Sequence, residues 1–349
     1  MRMNFLKNAR PDILKEFINM SFGKNRHCTI KALFKMQITI FGLGKMGIQI
    51  ARRLQKNGFE VLAWNRSEQA RQEFNVFVEG LKIKDEGYKQ GGRSFEHVTD
   101  LVSAMTGEVR IFWLMLPQEI TGEFLEHKLG PHLKAGDIVI DGGNSLYKES
   151  IKRAEVLRAK GIVFYDCGTS GGVWGEKEGF ALMVGGSKDS WGKVEPVFKA
   201  LSSGENYGLV GKNGAGHFVK MVHNGIEYGM MEAIGEGYGV MKASNLDLDL
   251  LQVTKIYQQG SVVRGWLIDL VRNIFEHEDI EGTKGEINML GEGEWTVEAG
   301  KELGIDVRVL ADAVNVRKES RRAENQHKFS NKIVALLRKQ FGGHGIVKK

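Results

Sequence analysis

Short apolar runs recur between helix-like stretches from Met36 to about Val210: QITIFG, FEVLAW, RIFWLML, DIVID, IVFYDC and ALMVGG. Each is apolar throughout instead of alternating, which is the pattern of strands covered on both faces. The reading is a parallel sheet with helices on either side. Beyond Gly211 the strand-like runs stop and helix follows helix to residue 341. The last helix is placed at roughly Glu324–Gln340, with Phe329, Ile333, Leu336 and Leu337 on one face. It stops at Gly342 and Gly343, which tolerate the left-handed dihedrals of a helix end. The pattern predicts a doubly wound α/β domain over 36–212, an all-α region over 213–332 and a C-terminal tail over 333–349.

Residues 1–35 carry no sustained period, and Met36 directly precedes the first strand. This stretch is read as a basic, disordered extension; a targeting sequence or a misassigned start would look the same. It also explains the charge. Of the formal +6, all of it falls here, where eight Lys and Arg face only Asp12 and Glu16, while residues 36–349 are balanced. With no domain-wide basic face, a nucleic-acid partner is not expected. No apolar run is long enough to cross a bilayer, so no membrane association is expected and the chain reads as cytoplasmic. The two cysteines, Cys28 and Cys167, are poor material for a disulfide framework and fit a reducing compartment. Neither has a partner at zinc-ligand spacing, and no metal site is expected.

The first strand runs into Phe41-Gly42-Leu43-Gly44-Lys45-Met46-Gly47, followed by a helix-forming stretch and a second strand ending at Trp64. In that context GxGxxG reads as a Rossmann-like dinucleotide loop. Gly42 allows the tight turn, Gly44 lets the backbone approach a pyrophosphate and Gly47 allows close helix packing, while Leu43 and Met46 belong to the same loop. Where an NAD enzyme carries an acidic residue for the ribose, this chain reads Asn65-Arg66-Ser67. A missing carboxylate and an added guanidinium favour NADP over NAD. Leu116-Pro117 and Asp141-Gly142-Gly143-Asn144-Ser145 follow later strands and complete the cofactor side. A glycine turn with a helix cap would also explain the second of these loops.

The helical region opens with Gly214-Ala215-Gly216-His217-Phe218-Val219-Lys220-Met221-Val222-His223-Asn224-Gly225-Ile226-Glu227-Tyr228. Lys220, Asn224 and Glu227 fall on one stripe, with Tyr228 beside it, so an amine, an amide and a carboxyl can face one pocket. A solvated face with a weak Lys220–Glu227 pair is the ordinary alternative. The apolar neighbours leave little of this helix for water, which favours a functional stripe. Gly225 and Gly229 each cost about 1 kcal/mol in a helix interior, so close packing is expected at both.

FGLGKMG, the GTSGG at Gly168–Gly172 and GAGHFVKMVHNGIEYG together resemble the decarboxylating 6-phosphogluconate dehydrogenases of the β-hydroxyacid dehydrogenase superfamily. The likeness spans about Met36 to His344, and RKQFGGHG resembles the ending of their shorter bacterial form. It implies hydride transfer from C3 of 6-phosphogluconate and loss of CO2 to give ribulose 5-phosphate. Lys220 then takes and returns the C3 hydroxyl proton, and Glu227 protonates C1 of the enediol. A lysine doing this must be neutral, which demands burial or a nearby cation. The resemblance assigns His223 and Asn224 to substrate orientation. It gives Ser170, Gly171 and Gly172 to the carboxylate and hydroxyls, and Tyr228, Arg317 and Arg338 to the phosphate, with His344 on the substrate side; Asn144, read from its loop alone, can hydrogen-bond the cofactor's carboxamide or ribose, or the substrate. It makes 213–332 the substrate and dimerisation domain. It sends the tail, with Arg338 and His344, into the neighbouring subunit's site, hence a homodimer.

One segment departs from the family pattern. Where longer members have a basic KGTGKW segment, this chain reads Leu290-Gly291-Glu292-Gly293-Glu294-Trp295. Arg264, in SVVRGW, is the substitute cation considered. Two other readings stay open on the residues: a 3-hydroxyisobutyrate-type dehydrogenase that does not decarboxylate, and a non-catalytic NADP-binding sensor.

Overall fold

The computed structural model describes residues 36–84, 91–289, 291–343 and 345–347. The extension 1–35, Leu290 and His344 lie outside the described residues. The first half runs β1 (Gln37–Phe41), α1 (Lys45–Lys56), β2 (Glu60–Trp64), α2 (Glu68–Lys84), β3 (Arg93–Phe95), α3 (Val98–Ser103), β4 (Ile111–Leu114), α4 (Gln118–Glu123), β5 (Ile138–Asp141), α5 (Tyr147–Ala159), β6 (Val163–Ser170), β7 (Ala181–Gly185), α6 (Trp191–Leu201) and β8 (Tyr207–Gly211). The strands form one sheet in the order β3-β2-β1-β4-β5-β6-β7-β8. After β3 the chain crosses back over β1 to lay down β4, so a crevice opens at the carboxyl ends of β1 and β4, where such folds take ligands.

Every residue of β1, β4 and β5 is buried. Alternate side chains feed two cores: Ile38, Ile40, Trp113 and Ile140 on one face, Phe41, Phe112, Leu114 and Val139 on the other. This is the two-sided burial that the continuous apolar runs imply. The sheet is not wholly parallel as expected, because β6 and β7 pair antiparallel. The ten residues between them, 171–180, hold only single helical turns and no crossover helix to return the chain to the other end of the sheet. Two strands also escaped the pattern. The edge strand β3 is three partly exposed residues, RSF, and glycines at 208 and 211 interrupt β8.

The second half is helical: α7 (Ala215–Ala243), α8 (Leu250–Gln258), α9 (Trp266–His277), α10 (Glu292–Glu302), α11 (Arg308–Ser320) and α12 (Phe329–Gly342). Among the described residues no helix is long and apolar enough to cross a membrane. α12 begins later than its apolar period suggests, because Lys328 is extended and Ala323–Asn325 form a separate 3-10 turn. Residues 333–342 continue this helix within its own chain. Ile333, Leu336 and Leu337 are fully buried with Met231, Val271 and Ile274.

α7 joins the two halves. Its first turn rests on β6 and β7: a Cβ on Gly216 would lie 2.4 Å from the Asp166 carbonyl oxygen and 2.5 Å from that of Met183. The fully buried Asp166 carboxylate accepts the N–H groups of Gly214 at 2.6 Å and His217 at 2.9 Å, neutralising the positive end of the helix. With backbone on all sides, Gly216→Ala is expected to lower the unfolding free energy by about 1–3 kcal/mol. Gly237→Ala, in the same helix but facing open space, should raise it by about 0.5–1 kcal/mol. Urea midpoints of the two variants check the contrast.

Candidate active site

A cleft of about 1030 Å³ opens where α7 leaves the sheet. The glycine loop, Met115–Pro117, Gly142–Asn144 and Thr169–Gly172 form one wall. Residues of α7, Val263–Ile268, Glu292, Arg338 and the end of α12 form the other.

On the cofactor side, Gly42 has φ +102° and leaves no room for a side chain, since its Cβ would stand 2.4 Å from the Met115 carbonyl oxygen. A Cβ on Gly44 would instead meet nothing within 4 Å, which leaves the backbone open to a ligand. α1 starts with no side-chain cap and no acidic residue in its first turn. Its leading N–H groups and positive potential are thus available for an anion, and the loop fits a dinucleotide pyrophosphate. Gly44, Met46, Gly47, Leu116, Pro117 and Asn144 line the cleft; Gly42, Leu43, Asn65, Arg66 and Ser67 do not. Leu43 is buried, and its N–H donates to Asn65 Oδ1 at 3.0 Å, so Asn65 ties the glycine loop to the end of β2. Arg66 is exposed just beyond, and among the described residues its guanidinium has no hydrogen bond or ion pair.

The loop after β5 is held by Asp141 and Ser145, which the sequence reading named without a role, and by Arg153, which it passed over. Asp141, fully buried, accepts the Gly143 N–H at 3.1 Å through Oδ1, and Ser145 Oγ and Arg153 Nη1, each at 2.9 Å, through Oδ2. A strand ending in a carboxylate with an arginine one helix further on was the available signal. This frame presents Asn144 to the cleft, where its Nδ2 donates to Glu292 Oε1 at 2.7 Å.

Across from it, Lys220 stands where β6 and α7 nearly touch: a Cβ on Gly168 would fall 2.3 Å from Lys220 Cβ. Lys220 Nζ donates to Asn224 Oδ1 at 2.7 Å and lies 3.4 Å from His223 Nδ1. Burial holds the Lys220 pKa below the ordinary lysine value, against the upward pull of Glu227 and Glu292. Burial also lowers His223, with Lys220 adding to it, and the Asn224 hydrogen bond opposes both. For Glu227 the same desolvation acts in the other direction and raises the carboxyl, against Lys220, Arg317 and Arg338. One dry cleft thus favours a neutral amine and a protonated acid two helical turns apart. Gly225 is closely packed as expected, since a Cβ there would fall 2.7 Å from Thr296 Cγ2. Gly229 meets only ordinary contacts with Leu310 and Val309, contrary to expectation.

Two arginines lie at the far end. Arg317 is fully buried, its guanidinium 3.3 Å from the centroid of the Tyr228 ring and its Nε bonded to Glu232 at 3.0 Å. Glu232 is pushed up to about 7 by burial, with Arg317 pulling it back. Arg338 lines the cleft and is 5 % exposed, whereas Arg317 stays behind Tyr228. Nη1 of each guanidinium is buried and without a hydrogen-bond partner among the described residues. Arg338 reaches this cleft from within its own chain. The reason is that α12 packs into its own helical core. Ser170, Gly171 and Gly172 turn beneath the end of that helix, where a Cβ on Gly172 would be 2.0 Å from the Phe341 carbonyl oxygen. Arg264 is exposed on the rim. His344 lies outside the described residues.

Residues 37–211 match the NAD binding domain of 6-phosphogluconate dehydrogenase, and residues 216–344 match the 6-phosphogluconate dehydrogenase C-terminal domain. An NAD(+)-dependent, decarboxylating 6-phosphogluconate dehydrogenase of Haloferax volcanii is 36% identical over 90% of this chain and 99% of its own length. The decarboxylating 6-phosphogluconate dehydrogenase of Homo sapiens is 33% identical over 88% of this chain and 64% of its own length, so the chain spans under two thirds of that longer form. The solved 6-phosphogluconate dehydrogenase of Plasmodium falciparum superposes with a TM-score of 0.73 at 28% identity, covering 81% of this chain and 62% of that one. By its two matched domains and the full-length likeness to the shorter relative, the chain belongs to the 6-phosphogluconate dehydrogenase family.

Proposed function

We propose that this chain oxidises 6-phospho-D-gluconate at C3 with NADP or NAD and releases CO2, leaving D-ribulose 5-phosphate. The observation that carries the reading is one cleft holding a glycine loop, a largely desolvated lysine and the buried guanidinium of Arg338, whose Nη1 has no hydrogen-bond partner among the described residues. A dinucleotide held by the loop of Gly44, Met46 and Gly47 supplies the hydride acceptor. Neutral Lys220, oriented by Asn224, takes the C3 hydroxyl proton as the hydride leaves C3. The resulting ammonium returns that proton to the C3 oxygen while the C1-carboxylate to C2 bond breaks. The electron pair passes into an enediol as CO2 departs. Glu227, whose pKa is raised by burial, then donates a proton to the carbon that lost the carboxylate, which is C1 of the product.

His223, Asn144 and the Ser170-Gly171-Gly172 turn hold the carboxylate and hydroxyls, and Arg338, backed by Arg317 and Tyr228, takes the phosphate through charge-assisted hydrogen bonds. His344 is assigned to the substrate side by family likeness alone. Exposed, unpaired Arg66 supports a preference for NADP, since guanidinium pairs well with a 2′-phosphate. A homodimer is also proposed. It is supported by an apolar row on α7 that starts at the cleft lining with Val219, Ile226 and Met230, at 37%, 52% and 52% exposure, and runs out to Val240 at 73%.

Supplied with 6-phosphogluconate and either nicotinamide cofactor, the protein should release reduced cofactor and CO2 together, and unphosphorylated gluconate should be a far poorer substrate. Strong activity on an unphosphorylated acid without CO2 would mark a 3-hydroxyisobutyrate-type enzyme instead. Lys220→Met should lower turnover by roughly 10²–10⁴-fold with cofactor affinity intact; unchanged turnover rejects the assignment of the base. Arg66→Ala should weaken NADP by about tenfold, the loss of a charge-assisted contact, and NAD hardly at all; equal losses refute the preference. Sedimentation should give twice the 39.0 kDa chain mass, and a monomer with full activity excludes the dimer as the working form.

A further inference from the structure

The segment that departs from the family's basic pattern places a carboxylate, not a cation, in the cleft. Glu292 is the first residue of α10, is 5% exposed and lines the cleft. Its backbone carbonyl accepts Thr296 Oγ1 at 2.9 Å, and the same hydroxyl donates to the Met221 carbonyl at 2.7 Å, so the start of α10 is fastened to α7 beside Lys220. The side chain reaches the other way, across the cleft, to Asn144 Nδ2. Buried carboxylates are seldom left in a site without a task.

We propose that Glu292 is a positioning residue of this reaction, holding the Asn144 amide across the cleft so that its carbonyl oxygen faces the bound reactants. The proposal rests on the function given above. An asparagine amide has two ends of nearly equal shape and opposite polarity. An ionised carboxylate can only accept, so it selects the NH2 end and turns the carbonyl end toward the cleft. There the carbonyl can accept only from a donor: a substrate hydroxyl or the amide of a nicotinamide. Because Asn144 sits on the sheet side and Glu292 on the helical side, the bond also sets the separation of the two walls.

The negative charge of Glu292 has a second effect. The charged groups that act on Lys220 are Glu227 on its own helix and Glu292 on α10, with His223 adjacent. Arg317 on α11 and Arg338 on α12 act on Glu227. Both carboxylates raise Lys220 against its burial. Removing the charge of Glu292 therefore lowers the lysine pKa further and makes the base available at lower pH.

Three variants test this with the intact protein: Glu292→Gln, Glu292→Ala and Asn144→Ala, the last also combined with Glu292→Ala. On the pH-independent plateau, Glu292→Ala should lower kcat by about tenfold or more while the cofactor Kd stays within about twofold. Glu292→Gln, which keeps an acceptor for Asn144, should recover most of that loss. Asn144→Ala with Glu292→Ala should be no worse than the poorer single variant, since both remove one interaction. In Glu292→Gln the acid limb of the pH profile that reports Lys220 should move to lower pH, a change that a merely structural residue would not cause. Additive losses, glutamine as damaging as alanine, or an unmoved acid limb each overturn the proposal. An unaltered protein that fails to turn over 6-phosphogluconate takes down the functional reading and this inference together; an active one with additive variants takes down the inference alone.

Discussion

The seating of α7 on β6 and β7 is the constraint from which the site follows. Without a side chain at Gly216 the helix rests directly on strand backbone, and without one at Gly168 the Lys220 stem can lie against β6. Asp166 supplies the electrostatic part, receiving two N–H groups of the first turn where the helix is most positive. Burial raises the Asp166 pKa, and the His217 and Gly214 N–H bonds pull the other way. Helix direction, and with it the line from Lys220 to Asn224 and Glu227, is thereby fixed relative to the sheet whose crevice takes the dinucleotide.

Desolvation then does opposite things to opposite charges. It disfavours the ammonium of Lys220 and the carboxylate of Glu227 alike, so each drifts toward the neutral form that proton transfer requires. The arginines cannot escape in this way, because a guanidinium stays charged even when buried. Arg317 is accommodated by the Tyr228 ring and by Glu232, and Arg338 by the nearby carboxylates Glu227 and Glu292. Fixed positive charge at one end and adjustable charge at the other give the cleft a polarity along its length.

Much of this was legible in the chain because local rules govern it. Apolar runs covered on both faces announced the sheet, glycine spacing announced the turn into α1, and helical spacing aligned Lys220 with Asn224 and Glu227. What escaped depended on partners far away in sequence. The reversal of β7 follows from a connection lacking a crossover helix, not from any pattern inside the strand. Asn65 stood out only as part of the stretch where a ribose carboxylate is missing, yet its oxygen accepts the N–H of Leu43, 22 residues earlier, and so ties the glycine loop to β2. Asp141 and Arg153 gave no motif, although together they shape the loop that offers Asn144.

The position of α12 in that core bears on how the protein is made. Its side chains fill the space between α7 and α9, and its last turn closes over the Ser170–Gly172 bend, with Trp174 Nε1 donating to the Gln340 carbonyl at 3.2 Å and Lys45 Nζ to that of Gly343 at 3.2 Å. All eight strands are synthesised well before it, so the sheet can collapse while translation continues. The helices from α7 onward must wait with their apolar surface open until α12 emerges. The growing chain therefore passes through a stage with one finished half and one sticky half, and that interval is when it most needs protection from aggregation.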